Sequence, residues 1–123
     1  MPQHRNKKAR SIGAKAESAL QRYLQDKGYE VRRTHLSAFP DVLAWNDTQF
    51  LMIEMKARTV TDNNRSKITK AVLRLFENSS KELKVVHSGA YLLCCLQIDD
   101  ELEFYQLTNS GTKLIQFGEF EER

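Results

Sequence analysis

FPDVLAWNDTQFLMIEMKART, Phe39 to Thr59, is mostly apolar but carries an acid near its start and an acid and a lysine near its end. Two β-rich runs, DVLAWN and QFLMIEMK, flank the polar Asn46-Asp47-Thr48-Gln49, whose composition suits a turn, so the stretch reads as a β-hairpin. With the turn centred between Asp47 and Thr48, residues whose numbers sum to 95 stand opposite each other. Trp45 then faces Phe50, Leu43 faces Met52 and Asp41 faces Glu54. Because side chains alternate along a strand, Glu54 and Lys56 share a face, and all three charges converge. A one-residue slip would send Asp41 to the opposite face.

Two carboxylates meeting across strands in a half-buried hairpin repel each other unless they share a proton or bind a cation. A hard divalent ion suits them. Magnesium takes oxygen ligands and is commonly held by one or two carboxylates together with substrate phosphate oxygens, where it polarises a phosphodiester and acidifies water. Lys56 is placed to orient that water or to stabilise charge on phosphorus. Glu17 is a third candidate acid, since it lies three residues before Leu20 and seven before Leu24 and borders the inward stripe of a predicted helix. A surface pair of Glu17 with Gln21 or a nearby lysine is the plainer reading of that residue.

Around the hairpin, Ser11 is expected to cap a helix over Ile12–Lys27, with Ala16, Ala19, Leu20, Tyr23 and Leu24 inward and Gly28 closing it. Tyr29–Thr34 reads as a strand. A second amphipathic helix is expected over Lys67–Asn78, capped by Ser66, with Ile68, Ala71, Val72, Leu75 and Phe76 as its apolar face. The continuous run AYLLCCLQI reads as a central strand, followed by LEFYQLT and a short LIQF.

With 123 residues the chain fits one domain, 11–123, preceded by a basic arm over 1–10. The first fifteen residues carry Arg5, Lys7, Lys8, Arg10 and Lys15 and no acid, although net charge is only +3, and such asymmetry suits contact with phosphates. Arg33, Arg58, Lys67 and Lys70 are further candidates for that surface. Cys94 and Cys95 are adjacent and would point to opposite faces of a strand, which disfavours a disulfide between them, and no Cys/His spacing suggests zinc. No run is long enough to span a bilayer and the N-terminus lacks the apolar segment of a signal peptide, so an intracellular protein is expected.

Pro40-Asp41 followed by Glu54-Met55-Lys56 resembles the signature of the PD-(D/E)xK nucleases, and the predicted helix containing GAKAE resembles that of the archaeal Holliday junction resolvases within that superfamily. The resemblance implies an α/β (α+β) fold with a restriction-endonuclease-like core, a mixed central β-sheet flanked by helices. It implies a magnesium-dependent DNA endonuclease, with Mn2+ able to substitute, acting on branched DNA as a homodimer. Carried over residue by residue, it makes Asp41 and Glu54 metal ligands, Glu17 a further ligand directly or through water, the Met55 carbonyl another ligand, and Lys56 the catalytic lysine. Resolvases of this kind usually carry a serine or threonine ahead of the Asp, for which Thr34 and Ser37 are the candidates. A sequence-specific restriction or homing endonuclease, and a non-catalytic nucleic-acid-binding module of the same fold, are the competing readings. A structural cluster of salt bridges is a third, but one lysine cannot easily satisfy three acids away from water.

Overall fold

A computed structural model describes residues 3–34, 39–81 and 89–122, with side chains described from Ala14 onward. Helix α1, Gln3–Asp26, is followed by strands β1, Glu30–Arg33, β2, Val42–Trp45, and β3, Phe50–Arg58. Helix α2, Arg65–Lys81, then leads to β4, Ala90–Ile98, β5, Glu101–Thr108, and β6, Gly111–Ile115. The six strands form one sheet in sequence order, antiparallel throughout except for the parallel pair β3–β4. A parallel pair needs a long crossover, and α2 supplies it.

The sheet separates two cores. On one face Ala16, Leu20 and Leu24 of α1 pack with Val42, Ala44, Leu51, Ile53, Leu93 and Cys95. On the other, Val72 and Phe76 of α2 pack with Phe39, Leu92, Cys94, Leu96 and Ile98. Cys94 and Cys95 therefore fall on opposite faces, as strand alternation requires, and both are free and buried. The mixed sheet between helices is the expected fold class.

The hairpin register is the sum-95 pairing, with Trp45 opposite Phe50, Leu43 opposite Met52 and Val42 opposite Ile53. Its turn is held by Asn46, whose Oδ1 accepts from the backbone N–H groups of Thr48 at 3.0 Å and Gln49 at 2.8 Å. Trp45 and Phe50 stack with ring centroids 6.4 Å apart.

Helix boundaries depart from the sequence expectation. Ser11 does not cap α1, which begins at Gln3, so residues 3–10 continue the helix instead of forming a separate arm. QHRNKKAR contains neither glycine nor proline and is rich in residues that favour helix, so nothing in it stops propagation. The far end is as expected: Gly28 has φ +91°, its N–H donates to the Gln25 carbonyl at 3.0 Å, and the Tyr29 N–H reaches back to Leu24 at 3.1 Å. Tyr29 and Leu24 bury together, completing that cap.

Ser66 does not cap α2 either. The helix starts at Arg65, two residues before the expected Lys67, and Asn64, a favoured capping residue, provides the carbonyl for its first turn, accepting from the Ile68 N–H at 2.9 Å. The buried line is Ile68, Val72, Phe76 and Ser80, spaced by four, whereas Ala71 and Leu75 point to solvent. The expected face was thus rotated, because Leu73 packs inward and Leu75 is 53% exposed. Strand β6 also begins earlier than LIQF, at Gly111, which pairs with Thr108, and Phe117 lies beyond it.

Phe76→Ala is expected to cost about 3–5 kcal/mol, since it empties a fully buried aromatic site. Leu75→Ala should stay within about 0.5 kcal/mol, as for an exposed side chain. Urea unfolding of the two variants checks which face of α2 is buried.

Candidate active site and metal centre

Strand β2 begins at Val42, so Asp41 stands at the last backbone contact of the hairpin, its N–H donating to the Ile53 carbonyl at 3.0 Å. One step further along β3, no β2 backbone remains to pair with Met55, and the Asp41 side chain takes that place: Oδ2 accepts from the Met55 N–H at 2.9 Å. In a strand the N–H and C=O of one residue leave on the same edge, so the Met55 carbonyl also emerges beside Asp41. The paired ladder ends at Val42–Ile53, one residue short of the expected Asp41–Glu54 pair, yet Glu54 follows Ile53 closely enough to feel the Asp41 charge and is buried with 6% of its surface exposed.

Lys56 follows on the same face, with Nζ 3.6 Å from Glu54 Oε1. The second oxygen, Oε2, is buried and has no hydrogen-bond partner among the described residues. A buried carboxylate oxygen without a donor is costly unless a cation or a proton meets it. Burial pushes the Glu54 carboxyl above its ordinary range, and Asp41 adds to this by repulsion while Lys56 opposes it. Asp41 is raised too, again by burial, with the Met55 hydrogen bond and the Lys56 charge working the other way. Two neighbouring acids held above their ordinary values, one with an orphaned oxygen, form a donor set that suits a hard divalent ion. Asp41, Glu54 and the Met55 carbonyl are the groups that fit it.

Thr34 holds the backbone at Pro40 and Asp41. Its hydroxyl donates to the Pro40 carbonyl at 2.6 Å and its N–H to the Asp41 carbonyl at 3.0 Å. Ser37, the other hydroxyl considered from the sequence, lies outside the described residues.

Glu17 sits on α1, across the sheet from Glu54, and is half-buried. Among the described residues no group of three carboxylate, histidine or cysteine side chains is close enough to hold an ion, so Glu17 is not gathered with Asp41 and Glu54. Its neighbour Ser18, however, accepts a hydrogen bond from Arg33 Nη2 at 2.6 Å, and Arg33 pairs with Val42, next to Asp41. That bond ties this turn of α1 to the end of the hairpin where Asp41 lies. The sequence signal was available only in part: Ser18 adjoins Glu17, and alternation with Val31 turns Arg33 rather than Arg32 inward, but nothing in the sequence brings Arg33 to Ser18.

Of the expected phosphate contacts, Lys15, Arg58, Lys67 and Lys70 are exposed, whereas Arg33 is half-buried against α1. Arg5, Lys7, Lys8 and Arg10 belong to the helical backbone of α1, and their side chains lie outside the described residues. Arg65 instead binds Glu103 on β5 at 2.9 Å, fastening the start of α2 to the sheet. The sequence reading did not anticipate this pair.

A family model described as archaeal Holliday junction resolvase (Hjc) matches residues 8–109. A solved structure of Hjc, a Holliday junction resolvase from the archaeal hyperthermophile Archaeoglobus fulgidus, is similar in fold. It shares 18% identity with a TM-score of 0.52, over 86% of this chain and 84% of that one. No curated protein sequence matches the chain.

The raised carboxyl groups give a testable pH dependence. Folding favours their protonated forms, so the stability these groups contribute is full below their ordinary values of 3.8 and 4.5 and is lost as pH rises through the higher folded values. At neutral pH without metal the ionised pair is therefore a cost. Asp41→Asn, which keeps an acceptor for Met55, is expected to raise stability by about 0.5–2 kcal/mol in EDTA at pH 7. The gain should shrink toward pH 4. Thermal unfolding across pH measures it, and a variant less stable than wild type at pH 7 would contradict the repulsion.

Proposed function

Since this chain belongs to the archaeal Holliday junction resolvase family, we propose that Asp41, Glu54 and Lys56 are its catalytic set and that Mg2+ is the ion it uses. As a member of that family, the chain is a metal-dependent endonuclease directed at branched DNA. The observation that carries the residue assignment is the buried Glu54 Oε2, without a hydrogen-bond partner among the described residues, in a carboxylate that feels the Asp41 charge and has Lys56 Nζ 3.6 Å from its other oxygen.

Asp41 and Glu54, with the Met55 carbonyl, hold the ion. When bound, the ion neutralises phosphate charge and lowers the pKa of water. The Met55 N–H locks Asp41 in one orientation, so the ligand is set before substrate arrives. Lys56, partly exposed and kept near the acids by its charge contact with Glu54, points its ammonium to the face where the phosphodiester is to lie. There it orients the attacking water and stabilises the charge that develops on the phosphoryl oxygens. Glu17, which the described structure does not gather with the two acids, acts from α1 as a further ligand through water.

Lys15, Arg58, Lys67 and Lys70, all exposed, contribute phosphate contacts that position DNA without reading its sequence, and the basic residues Arg5 to Arg10 extend this surface along α1. Arg33 supports the site by bracing α1 through Ser18. Mn2+ substitutes for Mg2+, because both accept oxygen ligands. The protein works inside the cell, where DNA junctions arise, and as a homodimer that presents two sites to one junction. Leu75 and Leu114 are the exposed large apolar side chains among the described residues and are the natural places to seek the dimer contact. No described helix is long and apolar enough to cross a membrane.

Labelled four-way junction, flap, duplex and single-stranded DNA, each incubated with Mg2+ or EDTA, test this reading. Metal-dependent paired nicks in the junction are expected, with Asp41→Asn, Glu54→Gln and Lys56→Ala each losing about 10²–10³-fold or more. Plain duplex cut as fast as the junction would remove the structure preference. Cleavage undiminished in Glu54→Gln would remove the site assignment.

A further inference from the structure

The C-terminal residues after β6 are built into the fold on the α1 side. Gln106 of β5 is fully buried, and both ends of its amide serve the backbone of Glu121. Its Nε2 donates to the Glu121 carbonyl at 2.6 Å, and its Oε1 accepts from the Glu121 N–H at 2.8 Å. The Glu121 carboxylate also pairs with Lys113 on β6. Between these anchors Phe117 packs edge-on to Tyr23 of α1 at 5.4 Å and to Tyr29 at 5.7 Å, and meets Phe104 of β5 at 4.8 Å. Phe120 continues the row from Phe117, at 5.2 Å, to Tyr91 of β4, at 5.0 Å.

A side chain in contact with the helix, the residue after it and the sheet limits how far the helix can roll or slide. Each aromatic pair of this kind contributes about 0.5–1.5 kcal/mol. The same helix carries Glu17 and Ser18 less than two turns before Tyr23, and an α-helix is stiff over that length. Ser18 is in turn bonded to Arg33 beside the hairpin end. A small rotation at Tyr23 would thus move Glu17 relative to Asp41 and Glu54, and displacements of about 1 Å cost on the order of 10²-fold in rate where reacting groups must be held.

We propose that residues 116–122 form a positioning strap and that Phe117 acts through α1 to set where Glu17 stands relative to the metal centre. The inference rests on the reading of Glu17 as part of that centre. Phe117 touches no substrate and is a positioning residue, and the amide clamp from Gln106 keeps the strap in place.

The full chain is tested as wild type, Phe117→Leu, Phe117→Tyr, Glu17→Gln and the double variant Glu17→Gln/Phe117→Leu. Leu107→Ala, a partly buried position on β5 two strands away from the strand that carries Glu54, controls for lost packing away from both α1 and the acids. Three readouts are taken: kcat and KM for a four-way junction, calorimetric Mn2+ binding, and amide hydrogen exchange across Ala14–Arg22 in metal-free protein. Phe117→Leu is expected to lower kcat about tenfold with KM for DNA unchanged, to weaken Mn2+ binding and to speed exchange in that segment. Phe117→Tyr, which keeps the ring in a half-buried site, should restore all three, and Leu107→Ala should leave them unmoved. In the Glu17→Gln background the Phe117→Leu effect on kcat should fall below about twofold, because the two changes act on one arrangement.

A full tenfold loss in both backgrounds, or an equal loss in Leu107→Ala, would overturn the strap and leave only general packing. Unchanged Mn2+ binding and exchange in Phe117→Leu would overturn it as well. If Glu17→Gln cleaves like wild type, the Glu17 assignment falls and this proposal with it. Loss of cleavage in Asp41→Asn would still uphold the Asp41–Glu54 centre in that case.

Discussion

The hydrogen bond from the Met55 N–H to Asp41 Oδ2 sits where the hairpin runs out of backbone partners, and the site is organised around it. A strand that simply ended there would leave a half-buried donor, and a carboxylate placed there without a donor would be worse. Each group satisfies the other. The arrangement depends on register: with Trp45 opposite Phe50 and Val42 opposite Ile53, Asp41 arrives beside Met55 and on the same face as Glu54. A shift by one residue would also turn Val42 and Ala44 out of the α1 core, so the packing energy of those side chains enforces the geometry of the acids.

That coupling explains how a small domain tolerates a poorly compensated acid pair. Glu54 lies on a strand whose alternate residues, Leu51, Ile53 and Met55, are buried against α1, while β4 beside it is buried on both faces. The centre of the sheet is thus too well packed to relax around the charges. A strand at the sheet edge would bend away or admit water, and the repulsion would dissipate. Here it is retained, and a cation can relieve it. Stability given up at a site in this way is a common feature of catalytic centres.

How much of this was legible in the sequence follows from the kind of physics involved. Strand alternation and the polar turn were enough for the hairpin register, and adjacency was enough to put Cys94 and Cys95 on opposite faces, because both follow from a period of two. The helix ends were not legible, since a serine is as acceptable inside a helix as at its cap, and only the run QHRNKKAR, with no breaker, hinted that α1 starts early. On α2 the period was right and the phase was wrong: Leu73 and Leu75 are chemically equivalent, and tertiary contact alone decides which one packs. Gln106 and Phe117 were hidden for a related reason. A buried amide inside an apolar strand and one aromatic in a polar tail acquire meaning only when distant backbone reaches them.

On the proposed reading of Glu17, a site of this kind would need more than its hairpin. Asp41, Glu54 and Lys56 come from two adjacent strands on the α2 face, and the ladder fixes their spacing. Glu17 comes from a helix on the other face, and no backbone hydrogen bond relates it to the acids. Its position is set by side chains alone: Ala16, Leu20 and Leu24 in the core, Ser18 on Arg33, and Tyr23 against Phe104 and Phe117. Contacts of that type are individually weak and shift by tenths of an ångström when one is altered, whereas a β-ladder does not. The hairpin therefore fixes the two acids and the lysine, and if Glu17 joins them as proposed, α1 would be the part that remote substitutions can tune.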